Sequence, residues 1–349
     1  MMDEFSANKT LNGKEIQQGK IKLDSFARNL IVTLSSRCNI NCIMCEVRRT
    51  QWDIPQEVIQ EVLGLLSYIE SIIWQGGEPF LLDYFEEIFD KACKFPNLRQ
   101  IIVTNGLLIT EDWAQKLVNN NIELIFSVDG VTKEVYERIR VGAKFDDVIR
   151  GIEIINSARK NLPSKNMSLR LHAVIMKSNY HQLEAFIDFA KAYGFDAIHL
   201  ISIWGNSDSE ENIFHRQEKE ALNYINAIRN RIEEKAKKYN IQLLNSLPVY
   251  EKHTSHIDEK QKPNNIKIDS NELICRLPWQ QLNIDPGGGV RPGCLCLKTI
   301  GSVLENNLKE LWNNTEMQMY RKKIINGDYK SWCNPACLSG QIGRELKGS

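Results

Sequence analysis

The stretch Cys38-Asn39-Ile40-Asn41-Cys42-Ile43-Met44-Cys45 follows directly on an apolar run at 29–34. It places three thiols on one short loop at C-x3-C-x2-C spacing, with no fourth cysteine nearby. A closed structural zinc site uses four ligands, and an ordinary ferredoxin cluster uses four thiolates. Three thiolates on a [4Fe–4S] cluster leave one iron open, able to bind the amino and carboxylate groups of a methionine. The alternative is a zinc loop completed by a distant ligand.

Outward from this loop, short apolar runs at 29–34, 71–75, 100–104, 122–128, 168–177 and 195–203 alternate with amphipathic stretches near 54–69, 83–94, 111–119, 132–158 and 179–193. Strands alternating with helices predict an α/β fold, a parallel sheet joined by helical crossovers. Right-handed crossovers leave such a sheet open or curl it into a barrel, and the strand-end ligands favour a partial (β/α)6 barrel. On the fifth run Arg170 and His172 alternate with apolar residues, which predicts that both face the interior. His199 is placed similarly on the sixth. A core histidine with its bonds satisfied is the ordinary reading of either, and substrate contact is the functional one.

The triplet after a first strand resembles the defining motif of the radical S-adenosylmethionine (SAM) superfamily. Further positions match over about 29–204. Gly76-Gly77-Glu78-Pro79 is similar to the glycine-rich motif that holds the SAM amino group. Asn105, in Thr104-Asn105-Gly106, and Ser127 and Asp129, in Ser127-Val128-Asp129-Gly130, look like positions lining the SAM pocket, the last two near the ribose. Arg140 lies where the family often faces the SAM carboxylate with an arginine; a solvated arginine on a helix is the plain alternative. Many members carry an aromatic residue before the third cysteine, where this chain has Met44. The resemblance implies that Cys38, Cys42 and Cys45 ligate a [4Fe–4S] cluster, which reductively cleaves SAM to a 5′-deoxyadenosyl radical that abstracts hydrogen from a substrate.

Five more cysteines, Cys275, Cys294, Cys296, Cys333 and Cys337, fall in the last 80 or so residues, around the turn Asp285-Pro286-Gly287-Gly288-Gly289. This region resembles the auxiliary-cluster domains of the same superfamily, SPASM in the full form and twitch in the short one, a small α+β unit. Five cysteines suit one auxiliary [4Fe–4S] cluster, on Cys275, Cys294, Cys333 and Cys337. Cys296 is then spare, as a hydrogen-atom donor or a buried thiol; alternatively it replaces Cys294. A zinc ribbon is the competing reading. Cys93 lies in a helical pattern and is read as core.

The expected organisation is an N-terminal extension (1–28), the barrel (29–204), a bridging helix and loop (205–270) and the auxiliary-cluster domain (271–349). Of 349 residues, 44 are Lys or Arg and 44 Asp or Glu, so there is no basic excess to point to nucleic acid or an anionic membrane. No run approaches the ~18 apolar residues of a spanning helix, and 1–22 has no signal-peptide pattern. A cytoplasmic enzyme is expected, fed by an electron donor such as flavodoxin or ferredoxin. The expected substrate is a small molecule, carbohydrate- or aminocyclitol-like, oxidised as the auxiliary cluster accepts an electron. The alternatives are a peptide maturase forming thioethers or epimerising residues and, from another class, a non-catalytic iron–sulfur electron carrier.

Overall fold

The computed structural model describes residues 3–46, 52–161, 167–203, 209–248, 275–293, 296–328 and 331–334. In chain order they form α1 (Glu4–Gln17), β1 (Asn29–Thr33), β2 (Asn41–Cys42), α2 (Gln56–Leu63), β3 (Ser71–Gln75), α3 (Phe85–Ala92), β4 (Arg99–Thr104), α4 (Glu111–Val118), β5 (Ile122–Ser127), α5 (Lys133–Ile139), β6 (Arg140–Val141) and α6 (Phe145–Asn161). There follow β7 (Ser168–Ile175), α7 (Leu183–Ala192), β8 (Ala197–Ser202), α8 (Lys219–Lys238), β9 (Gln242–Asn245), α9 (Leu277–Gln280), β10 (Gln281–Ile284), β11 (Gly289–Arg291), β12 (Gly301–Ser302), α10 (Leu308–Trp312) and α11 (Thr315–Ile325).

One sheet of ten strands runs in the order β12-β11-β10-β1-β3-β4-β5-β7-β8-β9. All six predicted strands are in it, mutually parallel. It is larger than expected at both ends. The long helix read as a bridge is another crossover, because α8 returns the chain to β9, parallel to β8. At the other end β10 pairs in parallel with β1, so the C-terminal segment is hydrogen-bonded into the same sheet.

The two faces differ in exposure. Outward residues such as Leu30, Trp74, Ile102, Phe126, Leu171 and Leu200 are almost fully buried under the helical layer, each contributing about 1.5–3 kcal/mol of burial. Most inward residues, among them Thr33, Gln75, Val103, Ser127, His172 and His199, are only half-buried. The inner face therefore lines an open lumen, as a partial barrel should.

The described part of the N-terminal stretch, 3–28, is built into the fold. Buried polar side chains of α1 serve backbone groups: Asn8 accepts from Phe26 N at 2.7 Å, Asn12 donates to Trp279 O at 2.7 Å, and Glu15 accepts from Ser25 N and Oγ at 3.0 and 2.6 Å. From the C-terminal side the fully buried Arg321 donates to Ile21 O, Pro278 O and Trp312 O at 2.7–2.8 Å and lies over the Trp312 ring. Burial pushes its pKa down to about 9.

Candidate functional site

The cysteine loop leaves the carboxyl end of β1 and is tied on both sides. Before Cys38, Ser36 N donates to Trp52 O, and Trp52 N donates back to Ser36 Oγ, both at 2.8 Å. After it, Asn41 and Cys42 pair antiparallel with Val141 and Arg140, and Ile43 N reaches Ile139 O at 3.0 Å. This second tie corrects the helix expected over 132–158. The chain leaves helix at Arg140, turns at Gly142 with φ +93°, and resumes helix at Phe145, because the two-residue ribbon with Cys42 takes those backbone groups.

The turn after β3 lies against the start of this loop. Gly76 and Gly77 have φ of +89° and +58°, a region that favours glycine. A Cβ on Gly77 would stand 2.0 Å from Arg37 O, and Glu78 N donates to that same carbonyl at 2.9 Å. Glu78 is fully buried and accepts from Thr104 Oγ1 and Asn105 N, both at 2.7 Å, so it binds the ends of β3 and β4 together. Burial pushes its pKa up to about 7, against those donors. Asn105 Nδ2 bonds Asn39 Oδ1 at 2.7 Å and lies 3.8 Å from Cys38 Sγ.

On the other side Arg140 Nη1 lies 3.8 Å from Cys42 Sγ, and Nη2 pairs with Asp129 Oδ2 at 2.7 Å. Asp129 Oδ1 accepts from Val174 N at 2.8 Å. Arg140 is thus buried against the loop rather than solvated, and both oxygens of Asp129, read as a ribose contact, are engaged within the protein. Burial pushes the Cys42 thiol up to about 11, while Arg140 favours its thiolate. A small apolar cluster of Val135, Ile139, Met176 and Ile203 packs with Ile43 and Met44 beside the loop.

In the C-terminal segment Cys296 and Cys333 are paired across an antiparallel β-bridge, and Leu297 N donates to Trp332 O at 3.0 Å. Cys275 packs against the same core as both. Tyr320 OH holds this corner through Lys298 N and O at 2.9 Å, its ring edge-on to Trp332. Cys294 and Cys337 lie outside the described residues.

The sequence matches the radical SAM superfamily over residues 32–190 and an iron–sulfur cluster-binding domain, SPASM, over 275–338. The chain belongs to the radical SAM superfamily. Its radical SAM and SPASM domains imply [4Fe–4S] clusters and SAM, and the chain spans about half the length of the first curated relatives it matches. It is 28% identical over 199 residues to a cysteine-type anaerobic sulfatase-maturating enzyme of Clostridium novyi, covering 49% of this chain and 50% of that one. It is 29% identical over 241 residues to a probable GTP 3′,8-cyclase of Sulfurisphaera tokodaii, covering 65% and 72%. Streptococcus suis SuiB shares its fold, with a TM-score of 0.67 at 16% identity over 97% of this chain and 76% of that one. So does anSMEcpe with bound AdoMet, at 0.60 and 17% over 85% and 80%.

The radical SAM loop fits its groups. Among the described residues no three Cys, His, Asp or Glu are gathered tightly enough to hold a single metal ion. The three thiols of the loop nonetheless share one electrostatic neighbourhood, half-buried. Arg140 Nε beside them is buried without a partner. That donor set suits a cluster with an open coordination position and an anionic ligand next to it.

On the inner face of the sheet, Ser127, His172 and His199 stand in register on β5, β7 and β8. The two imidazoles meet edge to face with centroids 4.9 Å apart, and His199 Nε2 lies 2.8 Å from Ser246 Oγ. Arg170, two residues below His172, is ion-paired with Glu123, which also pairs with Arg99 at 2.7 Å. Glu123 was hidden in the sequence by its apolar neighbours, although it is the one charged residue within the run at 122–128.

Burial pushes His199 down to about 4 and His172 well below its ordinary value, with Arg170 adding to both. Their unfolded values lie near 6.5. Between pH 6.5 and 4 the unfolded chain therefore binds more protons than the folded one, and stability falls as pH falls. Urea midpoints should drop between pH 7 and 5, and His199→Asn should flatten that slope; an unchanged slope would show that His199 is not buried neutral.

No helix among the described residues is long and apolar enough to cross a membrane.

Proposed function

We propose that this enzyme abstracts a hydrogen atom from a peptide substrate held in the lumen. The observation that carries the reading is the lumen's chemistry. Its half-buried lining is hydroxyl, amide, imidazole and apolar, at Thr33, Gln75, Val103, Ser127, His172 and His199, with one guanidinium, that of Arg170, lower on β7. Among the described inward residues of β1, β3, β4, β5, β7 and β8, the one carboxylate is Glu123, already shared by Arg99 and Arg170. An aminocyclitol would need an acid to meet its ammonium, whereas amide groups and apolar side chains match this lining. The sulfatase-maturating relative and the SuiB and anSMEcpe structures with bound peptides support the peptide over the small molecule expected first.

A [4Fe–4S] cluster held by the loop would, when reduced, supply the electron for cleavage of SAM, the cofactor's share of the chemistry. The protein's share is placement. Cys38, Cys42 and Cys45 would hold the cluster. Gly76 and Gly77 bring backbone to the methionine end, with Glu78 and Asn105 fixing that turn. Arg140 supplies the cation, Asp129 orients it, and Ser127 opens the row that faces the substrate. Met44 and its apolar neighbours offer a surface for adenine. Cys275, Cys333, Cys337 and either Cys294 or Cys296 would hold the auxiliary cluster. The bridge to Cys333 makes Cys296 a geometrically suited fourth ligand.

Reconstituted enzyme should be given SAM and reductant with two pools from cells grown in deuterated medium, tryptic peptides or small metabolites. Deuterium should enter 5′-deoxyadenosine from the peptide pool. Transfer from the metabolite pool alone would reverse the reading.

A further inference from the structure

We infer that the lumen wall formed by Arg170 and His172 binds a carboxylate of the substrate. The inference rests on the peptide reading and specifies what the peptide presents.

Charge balance is the first argument. Arg99 and Arg170 both pair with Glu123, whose side chain is only 5% exposed. Two guanidiniums on one carboxylate leave one positive charge over. Arg99, at 44% exposed, also reaches Ser168 Oγ and solvent; Arg170, at 25%, points into the lumen and keeps more of its charge there.

Bonding is the second argument. Arg170 Nε and His172 Nε2 are both buried and both without a partner. An unmade hydrogen bond at a buried polar nitrogen costs about 1–3 kcal/mol, so two on one wall are a standing demand for a ligand; a neutral imidazole meets a carboxylate as its Nε2–H tautomer. The residues alternate on one face of β7, about 7 Å apart along the strand, so a side-chain carboxylate lying between them is within reach of both. Guanidinium and carboxylate match in planar geometry. A phosphate dianion would meet the Glu123 charge with too few donors to offset it.

The test is calorimetric titration of the reconstituted, SAM-loaded full chain with three probes: N-acetyl-glutamic acid α-amide, its neutral isostere N-acetyl-glutamine α-amide, and N-acetyl-glutamine with a free C-terminal carboxylate. At least one acid should bind about tenfold tighter than the neutral probe, a difference of ~1.4 kcal/mol, and which acid does so tells a side chain from a chain terminus. In Arg170→Gln, which leaves Glu123 paired with Arg99, the preference should fall to within about twofold. Equal affinities, no detectable binding of either acid at ~10 mM, or an undiminished preference in Arg170→Gln would overturn the inference. The wild-type comparison needs no variant to fold. The peptide reading fails separately, through the deuterium experiment.

Discussion

Cys42→Ala is expected to halve the iron of the reconstituted chain, from about eight atoms to about four, and to remove reductive release of 5′-deoxyadenosine. The effect should be near total because the charged groups acting on the thiol among the described residues include no reserve ligand outside the loop. Apart from Cys38 and Cys45, the charged groups acting on the thiol are Arg140, a donor only, and Asp129, which Arg140 and Val174 N already occupy. Two thiolates would then have to hold four irons. The expected loss of release is at least ~1,000-fold, equivalent to ~4 kcal/mol. Cys93→Ala is the control, since Cys93 ends α3 on the far side of the sheet and meets Gln100 Nε2 at 3.2 Å; its iron and release should match the parent. Iron that stays near eight in Cys42→Ala would remove Cys42 from the ligand set.

How much of this was legible beforehand follows the range of the interactions involved. The six strands and the thiol spacing are local, written in alternating runs and one eight-residue loop, and they were readable. The ribbon of β2 and β6 was not, because Cys42 and Arg140 are 98 residues apart and the run at 132–158 has helical periodicity on both sides of Gly142. α1 was passed over for a related reason. Asn8, Asn12 and Glu15 make it look like a solvated surface helix, yet each is buried against a backbone group supplied from elsewhere in the chain. At Arg170 the strand pattern put the side chain on the correct face. Its tie to Glu123 depended on which strands are neighbours, and β5 and β7 become neighbours only through the α5–α6 crossover.

Asp129→Ala should be the most destabilising single change near the site, and its cost should appear in the cysteine loop. Asp129 and Arg140 are 0% and 6% exposed. Burial raises the acid's pKa, while Arg140 and the Val174 N donor oppose it; Arg140 is held charged by Asp129 against its own burial. Removing the acid leaves a guanidinium buried and uncompensated, which costs about 3–5 kcal/mol. It also strips Val174 N of its acceptor, about 1 kcal/mol more. The urea midpoint should fall accordingly, with anaerobic reconstitution also recovering less cluster, because Arg140 carries the β6 side of the ribbon that holds Cys42. Asp129→Asn keeps an acceptor for Val174 N and should be milder. Adding Arg140→Met to Asp129→Ala should restore part of the stability, since the orphaned charge goes with it, whereas cluster recovery should stay low because the cation beside Cys42 is gone. A separation of this kind assigns the pair's cost to charge burial and its benefit to the loop. If Asp129→Ala instead lost less than about 1 kcal/mol, the pair would be behaving as a solvated one, and Arg140 could not be what fixes the cluster loop.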